Sequence, residues 1–525
     1  MNKLLIIFLL LSVNCFISSA QISDWSTSVA AIIYNNCSTC HHEGGIAPFP
    51  LMSYDDAVNN AFAIQADINS HKMPPWPADP NYTHFKDERV LADDEIAAIN
   101  NWVDNGMPSG DLALAPLPPE FNGEVLLPLI DDTVFVPHYT LPSDLDDYRS
   151  FVIHSGYNET KYLNQLQFLP GDPSSVHHAF IYQDTSGISW QTDEDTPDPG
   201  FYSSDMGGFS EYAVLFAGYI PGTDPIKFPP DWGMKVPANA DYCLSFHYGP
   251  GNNGNTDSSK MYVKYCELPD SLIRSVRNER LLWWYGSSLL NPPFKIQKNT
   301  VKTFYEESPE FLTPQSIVAL QPHMHLIGKS FEVFLVNSPG DTTNLLYIPS
   351  WDWNWQLNYF VTKLIKIPAG GRVYGTGVYD NTSNNPNNPN DPPVTVFAGE
   401  GTEDEMMSVR FSLMDYQEGD EDYILDSSFY GFPTQAVITP YDLGIKIFPN
   451  PSHDLLRFSA WLPVHEVKWT LTDITGLIVL AGHEEGIRNG SYTKELNLAA
   501  FPSGIYFLTI QSGIERALRK VVIEN

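Results

Sequence analysis

The chain has 525 residues, of which 43% are hydrophobic and 18% charged, and its formal net charge is −34. That length exceeds one ordinary core, so several domains are expected, and the apolar content excludes a disordered chain. The acidic balance excludes nucleic acid and anionic lipid surfaces as partners, because both repel a strongly negative protein.

Residues 1–20 read as a secretory signal peptide, with Lys3 as the positive start, Leu4 to Leu11 as the apolar stretch and Ser18-Ser19-Ala20 as the cleavage site. Cys15 follows Asn14, a poor lipobox residue, so a lipoprotein is not expected. No later run is long enough to span a bilayer, and an exported mature chain starting near Gln21 is expected. Export permits disulfides, and the sequence allows one between Cys243 and Cys266, which lie in two strand-like runs.

Residues 21–110 read as helical. Leu91, Ile96, Ala97, Ile99 and Trp102 recur near helical spacing, Asp93 and Asp94 suit the first turn of that helix, and Gly106 suits its end. Within this region Cys37-Ser38-Thr39-Cys40-His41 has the C-x-x-C-H spacing of covalent haem attachment. Two thiols one helical turn apart reach the two vinyl groups of one porphyrin, and the next histidine lies under the iron. Met73, in His71-Lys72-Met73-Pro74, is the expected second axial ligand, ahead of His71 and His84, since a thioether favours ferrous iron. The competing readings are a Cys37–Cys40 disulfide or a metal knuckle. Export, the preceding helix and the Met-Pro segment before a last helix favour haem, and together they resemble a small class I cytochrome c domain.

Residues 111–122, with Pro116, Pro118 and Pro119, read as a linker. From 123 the pattern turns to short strands such as Phe135 to Tyr139, Phe151 to His154, Ala179 to Tyr182, Phe331 to Val336 and Val394 to Ala398, separated by clusters like Asn381 to Pro393. Three features of this β region carry chemistry. They are His177-His178 before a strand, His323-Met324-His325 with His247 between the two in sequence, and Asp404-Glu405-Met406-Met407. H-x-H on a strand sends both imidazoles to one face, whereas adjacent histidines need a bulge to share a metal. A thioether beside imidazoles favours copper.

The order HH, H, H-x-H, D-E-M resembles the copper type II, ascorbate-dependent monooxygenases, the family of the peptidylglycine and dopamine hydroxylating enzymes. The resemblance covers roughly residues 130–430. It implies two jelly-roll-like β-sandwich subdomains, expected at 123–285 and 286–432, facing each other across a solvent-filled cleft with one copper ion each. The electron-transfer copper would sit on His177, His178 and His247, and the oxygen-binding copper on His323, His325 and Met406, with Gly328-Lys329 also fitting the pattern. The chain departs from the peptidylglycine enzymes in having Gln321 where they place a carboxylate-gripping Arg, and Arg410 where they use a Tyr. A peptide C-terminus is therefore not the expected substrate. Met407 stands where the family has a Cys, which removes one disulfide.

Residues 440–525 form a further β module. Ile447-Phe448-Pro449-Asn450-Pro451, Asp473-Ile474-Thr475-Gly476, Pro502-Ser503-Gly504 and the final Lys520-Val521-Val522-Ile523 resemble the type IX (Por) secretion sorting domain. It implies an address read by the type IX secretion machinery, with no part in catalysis.

The combined expectation is a cytochrome c-like all-α domain, two copper β-sandwiches and a small C-terminal β-sandwich. The expected activity is hydroxylation of a C–H bond in an unidentified small-molecule or peptide-like substrate, with O2, two copper ions and covalently attached haem c. Electrons would come from ascorbate or another donor, or through the fused haem. A non-catalytic haem and copper electron-transfer or copper-handling protein and a polymer-binding surface module are the alternatives.

Overall fold

The computed structural model describes residues 22–523, leaving out 122–124, 128, 198, 204–208, 284–287, 339, 400, 426–444, 463–465, 474–477, 487–489, 500 and 513–514. The signal peptide read at residues 1–20 and the Ile474-Thr475-Gly476 turn lie outside the described residues. The chain divides into two compact units, one running to Trp76 and resuming over Arg89–Phe121, the other made of Pro77–Glu88 and Asn122 onward.

The first unit is helical. Helices Ala30–Asn36, Tyr54–Asn59, Ala61–Asn69 and Asp93–Asp104 enclose a core of Trp25, Ile33, Ala57, Ile64, Ile99 and Trp102. The last helix begins two residues later than its apolar spacing suggests. Asp93, Asp94 and Glu95 fill its first turn, and Glu95 accepts the Ala92 N–H at 2.9 Å. Gly106 ends it at φ +80°, a left-handed position that glycine takes without strain.

Within residues 21–110, the segment Pro77–Glu88 belongs to the second unit. There Asp79 N–H donates to the Tyr347 carbonyl and Lys86 N–H to the Phe360 carbonyl, both at 2.8 Å. Phe85 is buried against Tyr359, at 4.9 Å between ring centroids. The segment thereby covers Tyr359–Ile367, an edge strand with ladder groups to spare.

The second unit is built of strands. A five-stranded sheet runs in the order Phe201–Tyr202, Asp147–His154, Asp241–Tyr248, Val176–Asp184, Val214–Tyr219. A nine-stranded sheet has the order Asp132–Phe135, Lys260–Tyr265, Lys161–Leu169, Trp232–Val236, Arg274–Trp283, Ser408–Asp415, Gln315–His323, Tyr359–Ile367, with Ile226–Lys227 beside Lys161–Leu169. A four-stranded sheet follows the order Thr300–Glu307, Arg372–Asn381, Gly328–Ser338, Asp341–Ile348. Phe168 of the nine-stranded sheet packs on Phe246 and Tyr219 of the five-stranded one. The four-stranded sheet faces the other half, where Arg372–Asn381 buries alternate residues and its inward Gly375 lies against Leu282 and Met407.

The nine-stranded sheet therefore draws its strands from both sides of residue 285. Strand Arg274–Trp283 pairs parallel with Trp232–Met234 over Arg274–Val276, then antiparallel with Ser408–Leu413 over Arg277–Trp283. At the joint the Arg274 guanidinium holds Asp420 with two hydrogen bonds (2.8 and 2.7 Å), and Ser316 donates to the same carboxylate at 2.6 Å.

The disulfide that the sequence allowed does not form: Cys243 and Cys266 are both free. Cys243 sits on a strand of the five-stranded sheet, packed with Val152 and Phe201, whereas Cys266 follows a strand of the nine-stranded sheet and its thiol faces the Trp232 carbonyl at 3.3 Å.

The C-terminal module packs a three-stranded sheet (Lys446–Phe448, Leu455–Leu462, Gly490–Asn497) with a four-stranded one (Ile478–Glu485, Glu466–Asp473, Gly504–Ser512, Glu515–Ile523) around Phe458, Leu471, Leu496, Leu508 and Val521. No helix among the described residues is long and apolar enough to cross a membrane.

Candidate metal and haem centres

In the helical unit the C-x-x-C-H residues form a single turn. Cys37 caps helix Ala30–Asn36, and the N–H groups of Cys40 and His41 both return to the Cys37 carbonyl, at 3.1 and 3.0 Å. Burial, with Cys40 adjacent, pushes the Cys37 thiol up to about 12. His41 Nδ1 is 2.9 Å from the Phe49 carbonyl, which fixes that nitrogen as the N–H donor and leaves Nε2 to face a ligand. Burial holds His41 below its ordinary pKa, so it is neutral and fit to ligate iron. Met73 lies half-buried after helix Ala61–Asn69, while His71 is exposed and His84, in the second unit, pairs with Glu88 at 3.2 Å. These residues suit a covalent haem with His41 on one side.

In the β unit, His178 of strand Val176–Asp184 pairs directly with His247 of strand Asp241–Tyr248, and the register then shifts so that Tyr248 meets Val176. The extra residue is His177. This bulge lets neighbours in sequence turn towards one point, and the ligand atoms of His177, His178 and His247 lie within 4.8 Å of one another. The Nδ1 atoms of His177 and His178 are 3.0 Å apart. His247 Nε2 bonds Asp146 at 2.7 Å, its ring stacks on Tyr148, and its buried Nδ1 has no hydrogen-bond partner. A buried acceptor left open beside two more imidazoles is what a metal ion would satisfy. Burial holds all three below the ordinary histidine pKa, helped by repulsion from neighbouring histidines at His177 and His178 and opposed by Asp146 at His247, with His177 at about 4.

The second histidine pair ends strand Gln315–His323. His323 faces Ser408 across the ladder, so Met406, two residues before Ser408, comes alongside the H-x-H turn. Glu405 fixes that approach. Its carboxylate accepts the N–H groups of His325 (2.9 Å), Ile327 (2.8 Å) and Met406 (3.3 Å). Burial nevertheless pushes the Glu405 carboxyl up to about 8. Tyr379 donates to the Met406 carbonyl at 2.7 Å. His323 Nδ1 bonds Gln356 and His325 Nδ1 lies 3.0 Å from the Asp404 carbonyl, which leaves both Nε2 atoms for a ligand. The rings stand 5.1 Å apart at 81°, and burial lowers both pKa values, His325 to about 4. Two buried imidazoles and the buried Met406, whose backbone N–H shares the Glu405 carboxylate with that of His325, are ligand types that suit cuprous copper.

His178 and His323 line one narrow cleft together with Phe180, Gln321, Gln356 and Arg410. Arg410 is the cross-strand neighbour of Gln321, and its guanidinium lies over the Phe180 ring at 5.1 Å. The sequence reading did not single out Asp146, Gln356, Tyr379 or Trp353. Only Trp353 carried a signal, in the run Trp351-Asp352-Trp353-Asn354-Trp355.

Comparison with known proteins bears on the C-terminal module. Residues 446–524 match the family model of the secretion system C-terminal sorting domain. The chain is thus exported by the type IX route, to the cell surface or beyond it. No curated protein matches the chain. Among solved structures it is similar to the BSP domain of a biofilm associated protein, at 9% identity over 75% of this chain and 82% of that one, with a TM-score of 0.13. It is also similar to a β-glucuronidase from Ruminococcus gnavus, at 8% identity over 48% and 45% of the two chains and a TM-score of 0.12. A β-D-glucuronidase from Dictyoglomus thermophilum gives 12% identity over 47% and 43%, with a TM-score of 0.13. The chain spans less than half the length of either glucuronidase.

Proposed function

We propose that the chain is a secreted or surface-attached copper-dependent monooxygenase with a fused c-type haem domain. His177, His178 and His247 would hold one copper ion, and His323, His325 and Met406 the other. Copper in this pairing supplies dioxygen chemistry at the second set and the second electron from the first. Cys37 and Cys40 would attach the haem, and His41 and Met73 would be the residues that hold its iron. The fused haem would pass electrons on to the copper of His177, His178 and His247, in place of ascorbate or beside it.

The protein's own groups then have defined tasks. Asp146, Gln356 and the Asp404 carbonyl orient the imidazoles, Glu405 locks the Met406 turn, and Gln321 and Arg410 offer polar contacts to a substrate in the cleft. The observation that carries the reading is the partnerless, buried Nδ1 of His247 within a cluster of three imidazoles, one of which, His178, lines a cleft together with His323 of the second pair.

The test is the copper-to-iron ratio of the full chain, made in a host that attaches haem c and supplied with copper. About two coppers per iron are expected, one for each ligand set. A ratio near zero with haem in place would sink the proposal.

A further inference from the structure

Trp353 stands between the two histidine sets. Its ring centroid is 6.2 Å from His177 and 6.5 Å from His178 on one side, and 5.9 Å from His323 and 5.3 Å from His325 on the other. All four lie within the 4.5–7 Å span of aromatic contact. The plane of the indole is inclined only 21° to that of His177.

The loop carrying it is tied to the second set at both flanks. Trp351 is buried and donates its indole N–H to the His325 carbonyl at 3.2 Å. Gln356 donates its amide to the Trp353 carbonyl at 2.9 Å while its carbonyl oxygen bonds His323 Nδ1. Two anchors therefore hold the Trp353 backbone, and the ring reaches across to the first set. The copper monooxygenase resemblance implies solvent between the two sets. Here a π system lies in that interval.

We infer that the indole of Trp353 is the electron bridge between the two histidine sets, an inference that rests on the copper reading above. With copper bound at both sets, one electron would pass from a cuprous ion held by His177, His178 and His247, leaving it cupric, to the ion held by His323, His325 and Met406, with dioxygen as the terminal oxidant. The indole lends its π orbitals to the passage. It ends neither oxidised nor reduced, and no bond in it forms or breaks. An aromatic ring in contact with imidazoles on both sides couples the centres more strongly than water filling the same interval.

The experiment uses the full chain carrying haem c and both coppers, fully oxidised and free of oxygen. A pulse of radiolytic electrons reduces a small fraction, and rapid freezing with electron paramagnetic resonance follows how that electron redistributes between the two cupric signals. Trp353→Leu is expected to slow redistribution about tenfold, equivalent to about 1.4 kcal/mol on the barrier. Trp353→Phe, which keeps a ring, should fall between it and the parent. Copper content and both cupric spectra should be unchanged in each variant. An unchanged rate in Trp353→Leu with both centres filled overturns the inference and leaves the copper reading standing. So does loss of copper from both variants, which would make the indole a positioning group. A parent chain that takes up no copper at either set overturns the copper reading and the bridge with it.

Discussion

Glu405 accepts the backbone N–H of His325 at 2.9 Å, so a carboxylate eighty residues further along the chain sets the turn that presents a proposed copper ligand. Glu405→Gln keeps the shape but turns one acceptor into an amide that faces backbone N–H groups. Copper should bind about 10- to 100-fold more weakly at the His323, His325, Met406 centre and undiminished at the other, the scale seen when groups behind a ligand are altered. Copper titration resolved by centre reads this directly, and equal affinity at both centres would remove the positioning role.

Met407 fills space left by two glycines. A Cβ on Gly375 would come within 3.1 Å of the Met407 methyl, and one on Gly377 within 2.8 Å of its sulfur. Met407→Ala should lower stability by about 2–5 kcal/mol, the range for truncating a buried side chain of this size. Denaturant unfolding followed by intrinsic fluorescence measures it. A loss under about 1 kcal/mol would mean that the surrounding core collapses into the gap.

The Arg274–Asp420 pair should make stability depend on acid. Burial pushes the Asp420 carboxyl up, but hydrogen bonds from Arg274, Ser316 and the Gln417 N–H outweigh it and leave the group below its ordinary value of 3.8. A depressed folded pKa means that the pair's contribution is complete above that value and is lost as pH falls through the folded one. Arg274→Ala should cost about 3–5 kcal/mol at neutral pH, because it strands a largely buried carboxylate. The difference between variant and parent should then shrink as pH drops below about 4. A constant difference across that window would count against the pair.

Removing residues 446–524 should stop export at the outer membrane without altering the copper-to-iron ratio of the recovered protein. Cell fractionation and metal analysis check both halves of the statement. A truncated chain that still reaches the medium would show that the address lies elsewhere.

Much of the candidate site was legible because its signals are local. C-x-x-C-H spans one helical turn, H-x-H uses the period of a strand, and the His177-His178 pair required a bulge to converge, which is where the register shifts. The strand pattern likewise placed the β region, and the apolar spacing of residues 91–103 placed the last helix to within two residues. What stayed hidden depends on distant pairing. Asp146, Gln356 and Trp353 come from loops whose positions follow from the sheet order, and nothing in their own neighbourhood says which histidine they will meet. The sharing of one sheet by two sandwiches was equally hidden, since a strand does not record which half its two ends will join. Cys243 and Cys266 show the converse: two cysteines in strand-like runs fall in different sheets and cannot be paired from spacing alone.

The second histidine set ends a strand of the nine-stranded sheet, in which Arg274–Trp283 joins the two halves, whereas the first set belongs to the five-stranded sheet. The register along Arg274–Trp283 is a countable length, in units of one residue along a strand. Leu281 is already an unpaired insertion, since Arg280 pairs with Arg410 and Leu282 with Val409. Adding or deleting one residue here would slide one half past the other by about 3.3 Å. The register in which the two halves of this sheet meet is therefore something the fold can edit by a single codon, without touching any of the six candidate ligands.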